Sequence, residues 1–284
     1  MKNSTILIAV GKDAPLDDLA RKLETIRAIP ARVDILLVGV VPHFPYYEIG
    51  APPYGTTVTP PEWQDALSET KTALKAKQDE IETLLQQHDI DGGISVISAD
   101  ASQVSDIIAP HAMLCDIALV SEDLRETDFL FAQITHGILF RSPVGMILNA
   151  PDTQVLAQSK RVFVAWNPEL HAARAVHQAL PILRQAEEVT IGMVDPVMRT
   201  YRAGEDPGVD LAKWLSGHGC KVTIQQYPSG GRDIGRSILD RSKEIGADLV
   251  VMGAYSHSRA RQAVFGGTTR TMIEQTEQAV FLAH

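Results

Sequence analysis

The chain alternates short, continuously apolar runs with longer stretches in which apolar positions recur every three to four residues. Ile6–Val10 precedes the amphipathic stretch Asp13–Ile26, and a second apolar run covers Val33–Val41. After a long helical stretch, Glu62–Gln87, come Ile94–Ser98, another helix, the run Ile117–Val120, a further helix and the short run Val144–Leu148. The order then starts again: Val162–Trp166, the helix Glu169–Leu183, Val189–Val194, Lys221–Gln226, Leu249–Met252 and Ala279–Ala283, with helices between. Runs of this length that are apolar at consecutive positions are strands buried on both faces, as in parallel sheets covered by helices. Right-handed crossovers then favour an open, doubly wound sheet. The pattern predicts an α/β protein of two tandem doubly wound domains, each a five-stranded parallel sheet flanked by helices, over residues 1–150 and 160–284. Ala150–Ser159 is expected to be a short polar linker between them, and Pro42–Pro61, with its six prolines, a long surface loop. In such sheets ligands sit at the carboxyl ends of the strands where the strand order reverses. The loops after the first and fourth strands of each half are therefore the places to look for function.

Composition supports a globular chain: 284 residues, 45% apolar and 21% charged. The two cysteines, Cys115 and Cys220, form no CxxC motif and have no histidine cluster beside them, which fits a reducing compartment and argues against zinc. No apolar run approaches the roughly 20 residues that cross a bilayer. The N-terminus lacks the apolar core and cleavage site of a signal peptide, so a cytoplasmic location and no membrane partner are expected. The net charge of −9 is unevenly placed. Residues 1–151 hold 11 Lys and Arg against 21 Asp and Glu, whereas residues 152–284 hold 15 against 14. An acidic first half disfavours nucleic acid. The near-neutral second half can still tolerate one small anion.

The candidate chemistry lies in that second half. Met252-Gly253-Ala-Tyr-Ser256-His257 leaves an apolar run, and Phe-Gly266-Gly267-Thr268-Thr269-Arg270 enters a helix. Glycines there let backbone N–H groups approach an anion, the helix N-terminus adds a favourable dipole, and Thr268 and Thr269 offer hydroxyls. The same glycines also serve simply to end a strand and break a helix. No Lys-Ser/Thr follows them, so this is not a P-loop.

These residues resemble the universal stress protein family in its tandem two-domain form, and the resemblance covers nearly the whole chain. The family carries G-x2-G-x9-G-[S/T] after its fourth strand. The matching frame here is Gly253, Ser256, Gly266, Gly267, so two of the four positions depart, with Thr268 one place after the expected hydroxyl. The resemblance implies a Rossmann-like fold of the adenine nucleotide alpha hydrolase type. It also implies a site for ATP or a related adenine nucleotide formed by Met252, Gly253, Ser256, His257, Gly266, Gly267, Thr268 and Thr269. After the first strand of the half, Ala165 and Asn167 would join it, with Asn167 standing where members that bind ATP usually have Asp. Met193 and Val194, at the end of the second strand, would wall the adenine.

The matching loop of the first half, Ser121–Asp128, has no glycine and four carboxylates, and it is four residues shorter to the closing strand. Its charge would repel a triphosphate. Any nucleotide is thus expected in the second half alone, with Gly11-Lys12-Asp13 vestigial.

No nucleophile elbow, HExxH or other catalytic constellation is present, so no enzyme, catalytic residue or metal site is expected. Two readings stand. One is a non-catalytic stress-response protein binding an adenine nucleotide in its C-terminal domain. The other is a protein of the same fold that binds no nucleotide and acts as an interaction module, favoured by Asn167, Ser256, Gly267 and the bulk of Trp166. The resemblance also implies that the closing strands Val144–Leu148 and Ala279–Ala283 pair as an intramolecular pseudo-dimer, which leaves room for a further homodimer.

Overall fold

A computed structural model describes residues 4–41, 48–49, 56–57, 60–150, 153–196, 206–255 and 266–284. Most of the proline-rich loop, together with Ser256 and His257, lies outside these residues.

The first half contains β1 (Ser4–Gly11), α1 (Leu16–Ile26), β2 (Ala31–Val40), a two-residue ladder of β3 (Glu48–Ile49) with β4 (Thr56–Thr57), and α2 (Pro61–Gln87). It continues through β5 (Gly92–Ala99), α3 (Val104–Ala112), β6 (Ile117–Val120), α4 (Asp128–Arg141) and β7 (Gly145–Leu148). A short helix, α5 (Gln154–Ala157), leads to β8 (Arg161–Ala165), α6 (Leu170–Leu183), β9 (Glu188–Val194), α7 (Pro207–Gly217), β10 (Val222–Tyr227), α8 (Ile234–Glu244), β11 (Leu249–Gly253), α9 (Gly267–Glu274) and β12 (Val280–Ala283).

The helices begin where the local chemistry dictates. Pro15 cannot continue a helix backwards and precedes α1, so this helix starts three residues later than the apolar periodicity alone suggests. Asp206 and Asp233 cap α7 and α8, accepting hydrogen bonds from the N–H groups of Gly208 and Arg236.

Ten strands form one sheet in the order β10-β9-β8-β11-β12-β7-β6-β1-β2-β5. Every neighbouring pair is parallel except β12 and β7, which run antiparallel in register Phe281 to Ile147. Each half thus has a five-stranded parallel, doubly wound sheet whose strand order reverses between its first and fourth strands, β1 with β6 and β8 with β11. The same device ties these strands twice. Asp116 accepts a hydrogen bond from Thr5 N–H at 2.7 Å, and Asp248 accepts from Lys160 and Arg161 N–H at 2.7 and 2.9 Å.

Side chains alternate between two apolar layers, as strand geometry requires. Ile6, Ile8 and Val10 of β1 face a core closed by α1, α2, α5, α6 and α7. Leu7 and Ala9 face the opposite core, closed by α3, α4, α8 and α9. Both cores run through the β7–β12 seam, so the halves share their interior. The segment expected as a polar linker is correspondingly well packed. Val155, Leu156 and Ser159 are buried, and the Thr153 hydroxyl donates to the Lys22 carbonyl at 2.8 Å. Among the described residues no helix is long and apolar enough to cross a membrane.

Candidate functional site

The reversal point of the second half opens as a cavity of about 580 Å3, within the range of roughly 300–1,000 Å3 usual for small-molecule sites. Its floor is the end of the parallel strands, with Ala165, Gly192, Val194, Met252 and Gly253. Trp166, Asn167, Glu169 and His171 line one side, Ile234 and Ile238 of α8 the other, and Tyr255 with Gly266–Thr269 closes the end.

The first turn of α9 is the polar feature of this wall. Its cap residue Gly266 has no side chain to offer, and the first helical bond is from Arg270 N–H to the Gly266 carbonyl, 2.8 Å. Among the described residues no side chain caps the N–H groups of Gly267, Thr268 and Thr269, which open the helix on the cavity wall. An anion placed there would satisfy them and gain from the helix dipole. The two threonines differ. The buried Thr269 hydroxyl accepts from Tyr255 N–H at 2.9 Å, while Gly266 N–H donates to the Tyr255 carbonyl at 3.0 Å, so this residue and the cap fix the strand exit against the helix. Thr268 is half-buried on the cavity, and its hydroxyl makes no hydrogen bond among the described residues.

The glycines also differ in role. A Cβ on Gly253 would lie 2.5 Å from Ala172 N and His171 C, backbone atoms that cannot yield, so this glycine lets α6 press onto β11. Gly253→Ala is expected to destabilise the protein by about 1–3 kcal/mol, read as a lowered urea midpoint. An unchanged midpoint would show that α6 tolerates the displacement. A Cβ on Gly267 would meet nothing within 4 Å.

On the opposite wall Asn167 is exposed, and the Trp166 indole N–H donates to the Pro207 carbonyl at 3.0 Å. That bond turns the tryptophan toward α7, so its bulk forms a wall of the cavity without filling it. The His171 ring lies 5.7 Å from Tyr255. Burial pushes its imidazole below the usual value, the Glu169 carboxylate opposes this and His284 adds to it. At neutral pH His171 therefore presents an uncharged ring to the cavity.

Ala165, Asn167, Val194, Met252, Gly253, Gly266, Gly267, Thr268 and Thr269 are thus brought together. Met193 is not on this wall. Strand alternation puts it on the face of Val189 and Ile191, where its Cε would be 2.8 Å from a Cβ on Gly208 of α7. The residues of this strand that line the cavity are Gly192 and Val194. Gly192 was hidden inside an apolar run, but its register partner Ala165 and the Phe163 ring packed over it show why only glycine fits. Ile234 and Ile238 were also missed, although their spacing of four puts them on one face of a helix.

The first half closes the equivalent place with its own side chains. Asp123 Oδ2 accepts from Gly11 N–H at 2.7 Å, and Leu124 packs beside it. Glu122 accepts from Arg125 Nε at 2.7 Å and from Asn149 N–H at 3.1 Å. Lys22 is buried under the same loop. Desolvation lowers its pKa, and Asp18, Glu122 and Asp123 pull it back up. The acids there are not a repelling rim alone, because Asp123 is tied to the exit of β1 and, with Leu124, fills the place beside Gly11 that matches Asn167 in the second half.

No family model matches the chain, and no curated protein matches it in sequence. Solved structures do match. A universal stress protein from Archaeoglobus fulgidus DSM 4304 aligns with TM-score 0.67 at 14% identity, covering 100% of this chain and 99% of that one. A putative universal stress protein from Pseudomonas aeruginosa UCBPP-PA14 aligns at 0.54 and 12% identity, covering 99% and 93%. A functionally unknown protein from Pseudomonas aeruginosa PAO1 aligns at 0.57 and 11%, covering 99% and 92%. At such identities it is architecture that is shared, and from end to end this chain has the Rossmann-like fold of the universal stress proteins.

Proposed function

We propose that the chain is a non-catalytic stress-response protein of the universal stress type that binds ATP or a related adenine nucleotide in its C-terminal half only. The observation that carries this reading is the uncapped first turn of α9 facing a nucleotide-sized cavity at the strand-order reversal. The apolar walls of Val194, Met252, Ile234 and Ile238 suit a flat base, and Thr268 suits a phosphate or ribose oxygen. Support for the restriction to one half comes from Asp123 and Leu124, which fill the exit of β1 beside Gly11 in the other half, and from the carboxylates of that loop, which would repel a phosphate. A cytoplasmic location and an intramolecular pseudo-dimer, with or without further dimerisation, complete the proposal.

The competing reading, an interaction module without nucleotide, draws on one observation: the Glu169 carboxylate lines the cavity, and no described cation does. Titration calorimetry with ATP, ADP, AMP and adenosine separates the two. The proposal expects one nucleotide bound per chain, with a thermal upshift that grows with ligand concentration. No heat and no shift with any of the four at millimolar ligand would leave the interaction module.

A further inference from the structure

Arg125 belongs to the loop that closes the first half, yet its partners lie mostly elsewhere. Its guanidinium donates to the Ile273 carbonyl at 2.7 Å and the Gln275 carbonyl at 3.5 Å, both at the C-terminal end of α9. It also donates to Asn149 Oδ1 at 2.6 Å and to Glu122 Oε2 at 2.7 Å, and lies 4.1 Å over the Phe131 ring. The Arg125 side chain is only 17% exposed. Asn149 completes the bracket: its amide nitrogen donates to the carbonyls of Gln275 at 2.7 Å and Gln278 at 3.2 Å. The helix whose first turn faces the cavity is thus held at its other end by a charge from the opposite half.

An eight-residue helix is too short to hold its own position or direction in water, so its placement is set by what grips it. A cation at the last carbonyls is also the favourable partner for the helix dipole. Arg125 is itself fixed from three directions by Glu122, Asn149 and Phe131, and so transmits the position of the first half to α9. We propose that Arg125 is a positioning residue for the phosphate-facing turn of α9, so that the half whose own site is closed shapes the site of the other. The inference rests on the nucleotide reading above.

The test compares ADP with adenosine, which lacks the phosphates that would sit on α9. Arg125→Met is expected to weaken ADP about tenfold and to leave adenosine within twofold of the wild type. Arg125→Lys keeps the charge but not the fork, and should recover part of the loss. If Arg125→Met fails to fold, the same comparison on Arg125→Lys decides, with ADP weakened more than adenosine. Equal ADP affinity in wild type and variant would overturn the positioning role and leave the nucleotide reading intact. Equal loss of ADP and adenosine would mean general loosening and also overturn it. A wild type that binds neither ligand would remove both proposals.

Discussion

Phe281→Ala is expected to lower the unfolding free energy by about 3–5 kcal/mol, toward the upper end of that range. Phe281 is 1% exposed in the middle of β12, between Val251 on one side and Ile147 across the antiparallel seam. Its ring covers Gly145 of β7, where an added Cβ would lie 2.2 Å from Phe281 Cζ. The cost of a large-to-small change depends on how far the surroundings can collapse into the space. Here the neighbour is a glycine on a strand whose backbone is locked into the sheet, so little can move in. Equilibrium urea unfolding reads the loss as a lower midpoint. Gly145→Ala alone should also destabilise, by crowding the ring. In the Phe281→Ala background it should restore part of the stability, because the new methyl enters the vacated volume. A double-mutant cycle with no favourable coupling between the two changes would refute the proposed packing.

That seam also shows how the sequence and the structure divide the information. The buried strands were legible because runs such as Ile6–Val10 and Val189–Val194 are apolar at consecutive positions, a pattern that only strands covered on both faces need. The internal repeat was legible for the same reason, down to Asp116 and Asp248, each of which ties the start of its half's first strand. Strand order across the seam was not written in any local pattern; only the family resemblance suggested that the last strands pair. The errors have specific causes. Met193 stands at a strand end in the sequence, but the two-residue period of the strand puts Gly192 and Val194 on the cavity and Met193 on the other face. Ala150–Ser159 reads as a linker because Pro151 breaks regular structure and Asp152 and Ser159 are polar, but Val155 and Leu156 anchor it in the core. Glu122, Asp123 and Arg125 read as an acidic lip because charge can be counted along a chain. Their partners Gly11, Asn149 and Ile273 lie 24 to 148 residues away, and no spacing rule reaches that far. The glycine loop was the most legible part of the candidate site, since an uncapped helix start after a strand is a local feature.

Gly267→Asp is expected to strengthen the fold and weaken nucleotide binding in the same molecule. Gly267 opens α9, is exposed, and would carry a Cβ without contact within 4 Å. A carboxylate in the first turn of a helix contributes about 0.3–1 kcal/mol through the dipole. Replacing glycine where the backbone allows it contributes about 0.4–1 kcal/mol more. The melting temperature should therefore rise. The same carboxylate stands where a phosphate would meet the N–H groups of that turn. Two like charges about 4 Å apart repel by roughly 1 kcal/mol in water and 4 kcal/mol near a protein surface, so ADP should bind at least tenfold more weakly. Adenosine, which has no charge to repel, should bind nearly as before, and so should ADP to Gly267→Asn, which has the same shape without the charge. Opposite signs for stability and affinity cannot come from partial misfolding, which would lower both. ADP binding to Gly267→Asp with wild-type affinity, measured by calorimetry at low salt where screening is weakest, would place the phosphates away from α9 and leave the cavity with a ligand of another kind.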